Sequence, residues 1–245
     1  MNERERGFLL LTSHLGDPER KVLTAAQLRQ LALRVRERKP EAEGRELTEK
    51  DLTELDYSEE AARQIVTLLS QEPLLDDYLA RGEAWGCVPL TRVSPGYPLL
   101  LRQRLGLDSP GCLWAKGDLS ILNTPTLSLV GSRELREPNR AFARRVGELA
   151  AERGITLVSG NARGADREAQ DACRKAGGRV ISIVADSLDK YPGRNRLFLS
   201  EEDFDEPFSA QRALSRNRCI HALGAMVLVA QADLHKGGTW SGTVK

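Results

Sequence analysis

The chain has 245 residues, 40% hydrophobic and 29% charged, with a formal net charge of +1. These values fit a globular chain of one large or two smaller domains and exclude a global polycation, so any anion site must be local. Cys87, Cys112, Cys173 and Cys219 include no CxxC pair, which argues against a zinc site or a disulfide framework.

The N-terminus, Met1 to Arg6, is charged, and Phe8 to Leu11 is too short for a signal core. No apolar run approaches the roughly 20 residues that span a bilayer. A cytoplasmic protein without membrane contact is expected.

Residues 1–86 read as a small domain of short helices. Thr24 opens a helical period through Leu28, Leu31 and Val35. Thr48 leads a short turn through Leu52 and Leu55. Ser58 caps a segment with Ala62, Ile65 and Leu69 on one face, and Pro73 suits the first turn of another. The stretch from Arg36 to Glu49 is polar and reads as a loop. This part packs or tethers, or it contacts DNA; no catalytic pattern appears in it. Residues 87–124 are dense in Pro and Gly, which breaks regular structure. They read as a connector packed on the next domain, because Leu99, Leu101, Leu113 and Trp114 need burial.

Residues 125–245 alternate short apolar strands with helices, the pattern of a parallel α/β sheet flanked by helices. The predicted strands are Leu127 to Val130, Ile155 to Val158, Val180 to Val184 and Met226 to Val229. The predicted helices open at Pro138, run from about Asp166 to Lys175, and cover roughly Ala210 to Leu223. Polar, Gly-containing segments follow the strands: Gly131-Ser132-Arg133, Ser159 to Asp166, Asp186-Ser187, and Gly237-Gly238-Thr239. Ligands of open parallel sheets bind beyond the carboxyl ends of the strands. Free backbone N–H groups at the start of the helix near Asp166 would suit a phosphate. Alone, each segment also reads as an ordinary turn, and Arg216-Asn217-Arg218 as a solvated helix face. Together they predict one phosphate-binding rim.

No catalytic set emerges. His14, His221 and His235 lack a triad or metal-ligand spacing, and His221 reads as a packed helix residue. The acidic run from Glu201 to Glu206 reads as a solvated loop rather than a metal site. No cofactor and no metal are expected.

The ordered set Tyr97-Pro98 with Leu101, Pro110, Leu113 and Gly117, then Val130 to Arg133, Ser159 to Asp166, Tyr191-Pro192 with Asn195 and Leu197, and Arg216-Asn217-Arg218 resembles the DNA processing protein A family (DprA, also called Smf). The resemblance covers roughly residues 95–240. It implies a Rossmann-like domain over 125–245, C-terminally incomplete, after a helical (SAM-like) domain over 1–86. It also implies single-stranded DNA binding without catalysis, in DNA uptake during natural transformation, in recombination and in loading of a RecA-type recombinase, together with homodimerisation. Carried over, the DNA-binding residues are Gly131, Ser132, Arg133, Ser159, Gly160, Arg163, Gly164, Arg216, Asn217 and Arg218, with Gly237, Gly238 and Thr239 added as a phosphate loop. Gln170 stands where the family often has His, and Ala185-Asp186 replaces its paired glycines. The same superfamily holds enzymes that cleave the base–ribose bond of nucleoside monophosphates. A nucleotide N-glycosidase or a nucleotide sensor is therefore the alternative.

Overall fold

The computed structural model describes residues 1–38, 46–193 and 196–243. Asn195, part of the resemblance, and residues 39–45 of the predicted polar loop lie outside them.

Strands β1 (Cys87–Thr91), β2 (Cys112–Gly117), β3 (Thr126–Val130), β4 (Thr156–Ser159), β5 (Val180–Ile183), β6 (Leu197–Ser200) and β7 (Met226–Val229) form one sheet in the order β1-β2-β6-β5-β4-β3-β7. The five strands from β6 to β7 are parallel, whereas β1 and β2 add antiparallel. The Pro/Gly-rich segment 87–124 is thus more regular than its composition predicts. Pro89 is tolerated because β1 is an edge strand, where one side of the backbone needs no ladder partner. Strand β6, which sequence reading passes over, is short, fully buried and preceded by a polar loop.

Helices α1 (Glu3–Thr12), α2 (Ala25–Arg38), α3 (Glu49–Glu54), α4 (Glu59–Leu69) and α5 (Glu72–Ala84) precede the sheet. Asn2 with Glu5 and Thr48 with Asp51 form capping boxes, and Ser58 caps α4. Leu31, Leu52, Leu55, Ala62, Ile65 and Leu68 make a small core of their own. Helices α1 and α5 instead share a core with the sheet, where Leu9, Leu10 and Leu75 meet Trp114 and Phe198. Tyr78, Trp114 and Phe204 pack there with ring centroids 4.6–5.6 Å apart.

The acidic run after β6 fastens this contact and is not a solvated loop. Asp203, 8% exposed, accepts from Ser13 Oγ at 2.8 Å, His14 N at 2.8 Å and Trp114 Nε1 at 3.3 Å. Asp205 accepts from the Tyr78 hydroxyl at 2.5 Å and pairs with Arg81. A carboxylate that receives three donors replaces the hydration it loses on burial.

After β1, α6 (Leu99–Leu105) leads to β2. Helices α7 (Glu137–Glu152) and α8 (Ala165–Lys175) cover one face of the parallel strands, meeting Leu129, Leu157 and Val180. On the other face α6 and α10 (Asn217–Leu223) meet Val130, Val158 and Ile181. Alternate residues of each strand serve alternate faces. The single helix predicted over residues 210–223 is two, α9 (Ala210–Ser215) and α10, joined at Arg216. Arg104 of α6 closes the C-terminus of α10, donating to Ala225 O at 3.0 Å and to Gly224 O. Helix α11 (Gly237–Thr243) follows β7. Among the described residues no helix is long and apolar enough to cross a membrane, and no cluster of His, Cys, Asp or Glu fits a metal ion.

Candidate functional site

The chain runs outward through β3, β4, β5 and β6, then returns to place β7 on the other side of β3. That reversal makes a crevice beyond the carboxyl ends of β3 and β7, the position where open α/β sheets bind ligands. A groove of about 930 Å³ lies there, between Gly131 to Arg136 on one side and Gln231 to Thr239 on the other. Arg163, Asp166, Arg216 and Asn217 complete its wall. A shallower depression of about 330 Å³ continues over β4 and β5, bordered by Arg133, Gly160, Asn161, Arg163, Tyr191 and Phe208.

The glycines let the loops close on one another. A Cβ on Gly131 would sit 2.5 Å from the Ala165 Cβ. Gly164 has φ +87°, and a Cβ there would lie 2.4 Å from Ser132 O. The loop after β3 therefore rests directly on the start of α8, and Ala165 N donates to Ser132 O at 3.1 Å. The free N–H groups predicted at this helix start are largely used inside the loop. Asp166 Oδ2 accepts from Gly160 N at 3.1 Å and Ala162 N at 3.2 Å, and Arg167 N donates to Ala162 O. The sequence could not show that the helix supplies its own anion, Asp166, in place of a bound one.

The predicted residues divide by role. Arg133 and Arg163 are exposed at the rim and border both depressions. Arg133 has no acidic partner among the described residues. Arg163 meets Glu134 at 3.2 Å, both side chains mostly in solvent, a contact of little strength that salt screens. Gly131, Ser132, Asn217, Gly237, Gly238 and Thr239 line the larger groove, and Gly160 the smaller.

Ser159 and Arg218 lie elsewhere. Ser159 is fully buried, and its hydroxyl donates to Leu129 O at 2.7 Å, tying β4 to β3. Arg218 turns away, donating to Asp108 O at 2.6 Å and pairing with Glu201 at 2.5 Å.

Arg216 is at the rim but is 6% exposed. Its Nη1 donates to Gly160 O at 2.6 Å and to Ile183 O, clasping the ends of β4 and β5. Gly160 makes room for this clasp, since a Cβ would fall 2.5 Å from the Arg216 guanidinium and push it off the carbonyls it holds. Burial pulls the Arg216 pKa down, and the charge of Asp166 opposes that shift. Burial likewise raises the Asp166 carboxyl, against the pull of Arg216 and of the two backbone donors. The two buried charges sustain one another.

Asp186, the acid in the predicted site, is held by Lys190 at 2.7 Å. His221 is half-buried on the groove wall, and burial lowers its pKa. Gln231 was not singled out in the sequence, yet it positions the whole loop after β3. Its Oε1 accepts from Arg136 N at 3.0 Å and Asn139 Nδ2 at 2.8 Å, and its backbone O accepts from Ser132 N at 2.9 Å. The only signal was a polar residue two places after a strand. Phe208 at the smaller depression and Leu214 at the larger groove, exposed apolar side chains that share these surfaces with the arginines, also escaped the sequence reading.

Fold and site define a Rossmann-like α/β protein with exposed arginines at its topological switch point. The family model for DNA recombination-mediator protein A matches residues 89–242, and the chain belongs to that family.

Protein Smf of Escherichia coli (strain K12) is 34% identical over 142 residues, 53% of this chain and 38% of that protein. DNA processing protein DprA of Streptococcus pneumoniae is 31% identical over 141 residues, 53% of this chain and 50% of that protein. The chain thus spans half or less of the length of these two relatives. The X-ray structure of the Streptococcus pneumoniae DNA processing protein A aligns with a TM-score of 0.68 at 24% identity, over 91% of this chain and 82% of that one. DNA processing protein A of Helicobacter pylori, whose structure was described for its single-stranded DNA binding mode, aligns at 0.55 with 28% identity, over 64% of this chain and 74% of that one.

Proposed function

We propose that this chain binds single-stranded DNA at the rim, as a DNA-processing protein that acts without catalysis. Arg133 and Arg163 hold phosphates, and the exposed apolar side chains Phe208 and Leu214, one in each depression, meet the bases. The observation that carries this reading is the pair of exposed arginines at the crevice of the sheet. The single-stranded DNA binding mode described for the Helicobacter pylori protein supports it. The family's description as a recombination mediator supports the further step, delivery of the strand to a RecA-type recombinase; that a homodimer does this is carried over from the family resemblance alone.

Titration with oligo-dT, a matched duplex and a panel of mononucleotides tests it. Oligo-dT should bind most tightly, with a log–log salt slope of about −0.7 per phosphate contact. Arg133→Ala or Arg163→Ala should weaken binding to all sequences alike and flatten the slope by about 0.7. Arg36→Ala, far along the chain on α2, should leave the slope unchanged. Tight binding of mononucleotides alone, with release of free base, would replace this reading with the N-glycosidase one.

A further inference from the structure

Arg133 and Arg163 border a third depression, of about 960 Å³, that runs from the rim along the outer surface of α7 and α8 to Lys175. Its acids are all engaged. Glu134 meets Arg163, Glu148 meets Arg145, Asp171 meets Arg174, and Glu168 is held by both Arg140 and Arg144. Arg145 and Arg174 stand outside the groove, so they neutralise its acids without using its own cations. Arg133, Arg167 and Lys175 are exposed and have no acidic partner among the described residues. The groove therefore keeps unpaired positive charge along its length. Small apolar side chains, Ala172 and the exposed Ala176, also line it. Beneath it the two helices are in tight contact, since a Cβ on Gly147 would lie 2.1 Å from Ala169 O.

We propose that this outer groove carries the single strand away from the rim, with Arg167 and Lys175 taking the phosphates that follow those held at Arg133 and Arg163. The proposal rests on the rim reading above and adds a direction to it. Along α8, from Ala165 to Lys175, the helical rise gives about 15 Å. At about 3.4 Å per nucleotide of stacked strand, that accommodates about four nucleotides beyond the rim. Continuity with the rim at two shared arginines selects the continuing strand over an acidic protein as occupant, and the groove's charge suits its phosphates.

The test compares oligo-dT of about 4 nucleotides, enough for the rim, with one of about 16, enough for rim and groove. In wild type the longer oligomer should bind at least tenfold more tightly. The double variant Arg167→Glu/Lys175→Glu should lose most of that gain, leave the short oligomer's affinity unchanged, and flatten the long oligomer's salt slope by about 1.4, two contacts' worth. Arg167→Lys/Lys175→Arg should restore it. In the unmodified protein, the long oligomer should protect Lys175 from acetylation, and the short one should not. An undiminished length gain in the charge-reversed variant, or equal acetylation of Lys175 with both oligomers, overturns the groove. Failure of both oligomers to bind wild type overturns the rim reading itself. Competition by an acidic polypeptide at Lys175, with no length effect for DNA, assigns the groove to a protein instead.

Discussion

Replacing Arg216 with Ala separates the two roles an arginine at this rim can have. The side chain is 6% exposed and donates to Gly160 O, Ile183 O and, at 3.4 Å, Ala213 O. Hydrogen bonds from a charged group contribute about 1.5–3 kcal/mol each. The two strong ones leave buried carbonyls behind, and Asp166 loses the opposing charge that restrains its upward shift. Breaking such a buried set costs about 3–5 kcal/mol. That is a large share of a typical total stability of about 5–15 kcal/mol. With a urea slope of about 3 kcal/mol/M, the unfolding midpoint should fall by about 1–1.7 M. Arg216→Lys should recover only part of this, because one ammonium can replace Nη1 at the two strand-end carbonyls but cannot also supply the Nε contact to Ala213 O. Arg133→Ala should move the midpoint hardly at all, since exposed substitutions stay within about 0.5 kcal/mol. Chemical denaturation followed by circular dichroism, with an oligo-dT titration on the same samples, reads both effects. An unchanged midpoint together with lost DNA binding in Arg216→Ala would make Arg216 a phosphate ligand and refute its assignment as a clasp.

Other outcomes follow from the same packing. Burial pushes the phenols of Tyr57, Tyr78, Tyr97 and Tyr191 above their ordinary value. A raised folded pKa contributes stability that is complete below the unfolded value of about 10 and is lost as pH rises beyond it. Phenolate absorbance should therefore stay flat through that pH and rise together with loss of circular dichroism; a tyrosine that titrates normally in the folded protein contradicts this. The Cys87 and Cys173 thiols are pushed up to about 11, and Cys112 and Cys219 are raised too, so all four should ignore a thiol reagent at neutral pH until urea unfolds the chain. Gly164→Ala should destabilise by about 1–3 kcal/mol and weaken DNA binding, because positive φ and two backbone oxygens, Ser132 O and Arg133 O, oppose a Cβ. Gly177→Ala, with positive φ in open space, should cost only about 1 kcal/mol and spare binding. Asp203→Ala strands three donors and should expose the chain near Ser13 to limited proteolysis before the sheet unfolds.

The parallel strands were legible because each is an apolar run that ends in a polar, glycine-bearing loop. Strands buried on both faces read as continuous apolar runs, and β3, β4 and β5 show that pattern, whereas β7 is an equally apolar run at the sheet edge with Met226 and Val229 exposed. Strands β1 and β2 were hidden by the prolines and glycines around them. What makes them strands is partnership: β1 needs β2, and β2 needs β6, which is remote in sequence. Gly117 shows the same dependence. It has φ +119°, and a Cβ would meet Arg196 O at 1.9 Å. Its requirement is set by a segment about 80 residues away, and no local pattern could reveal it.

The arginines at the rim teach a narrower lesson. Sequence grouped Arg133, Arg163, Arg216 and Arg218 by motif and sign, and one sign is all that a motif conveys. Burial assigns them different work: Arg133 and Arg163 meet solvent, Arg216 clasps strand ends, and Arg218 pairs with Glu201 on another surface. Part of this division was available from geometry alone. Residues two apart at a helix start do not share a face. Arg216 and Arg218, placed at the start of α10, therefore had to point in different directions, and Asn217 between them in a third. A rim that used Arg216 could never have used Arg218 as well. The chain spends the inward arginine on joining β4 to β5, while the solvent-facing Arg133 and Arg163 sit on the two loops that precede α7 and α8.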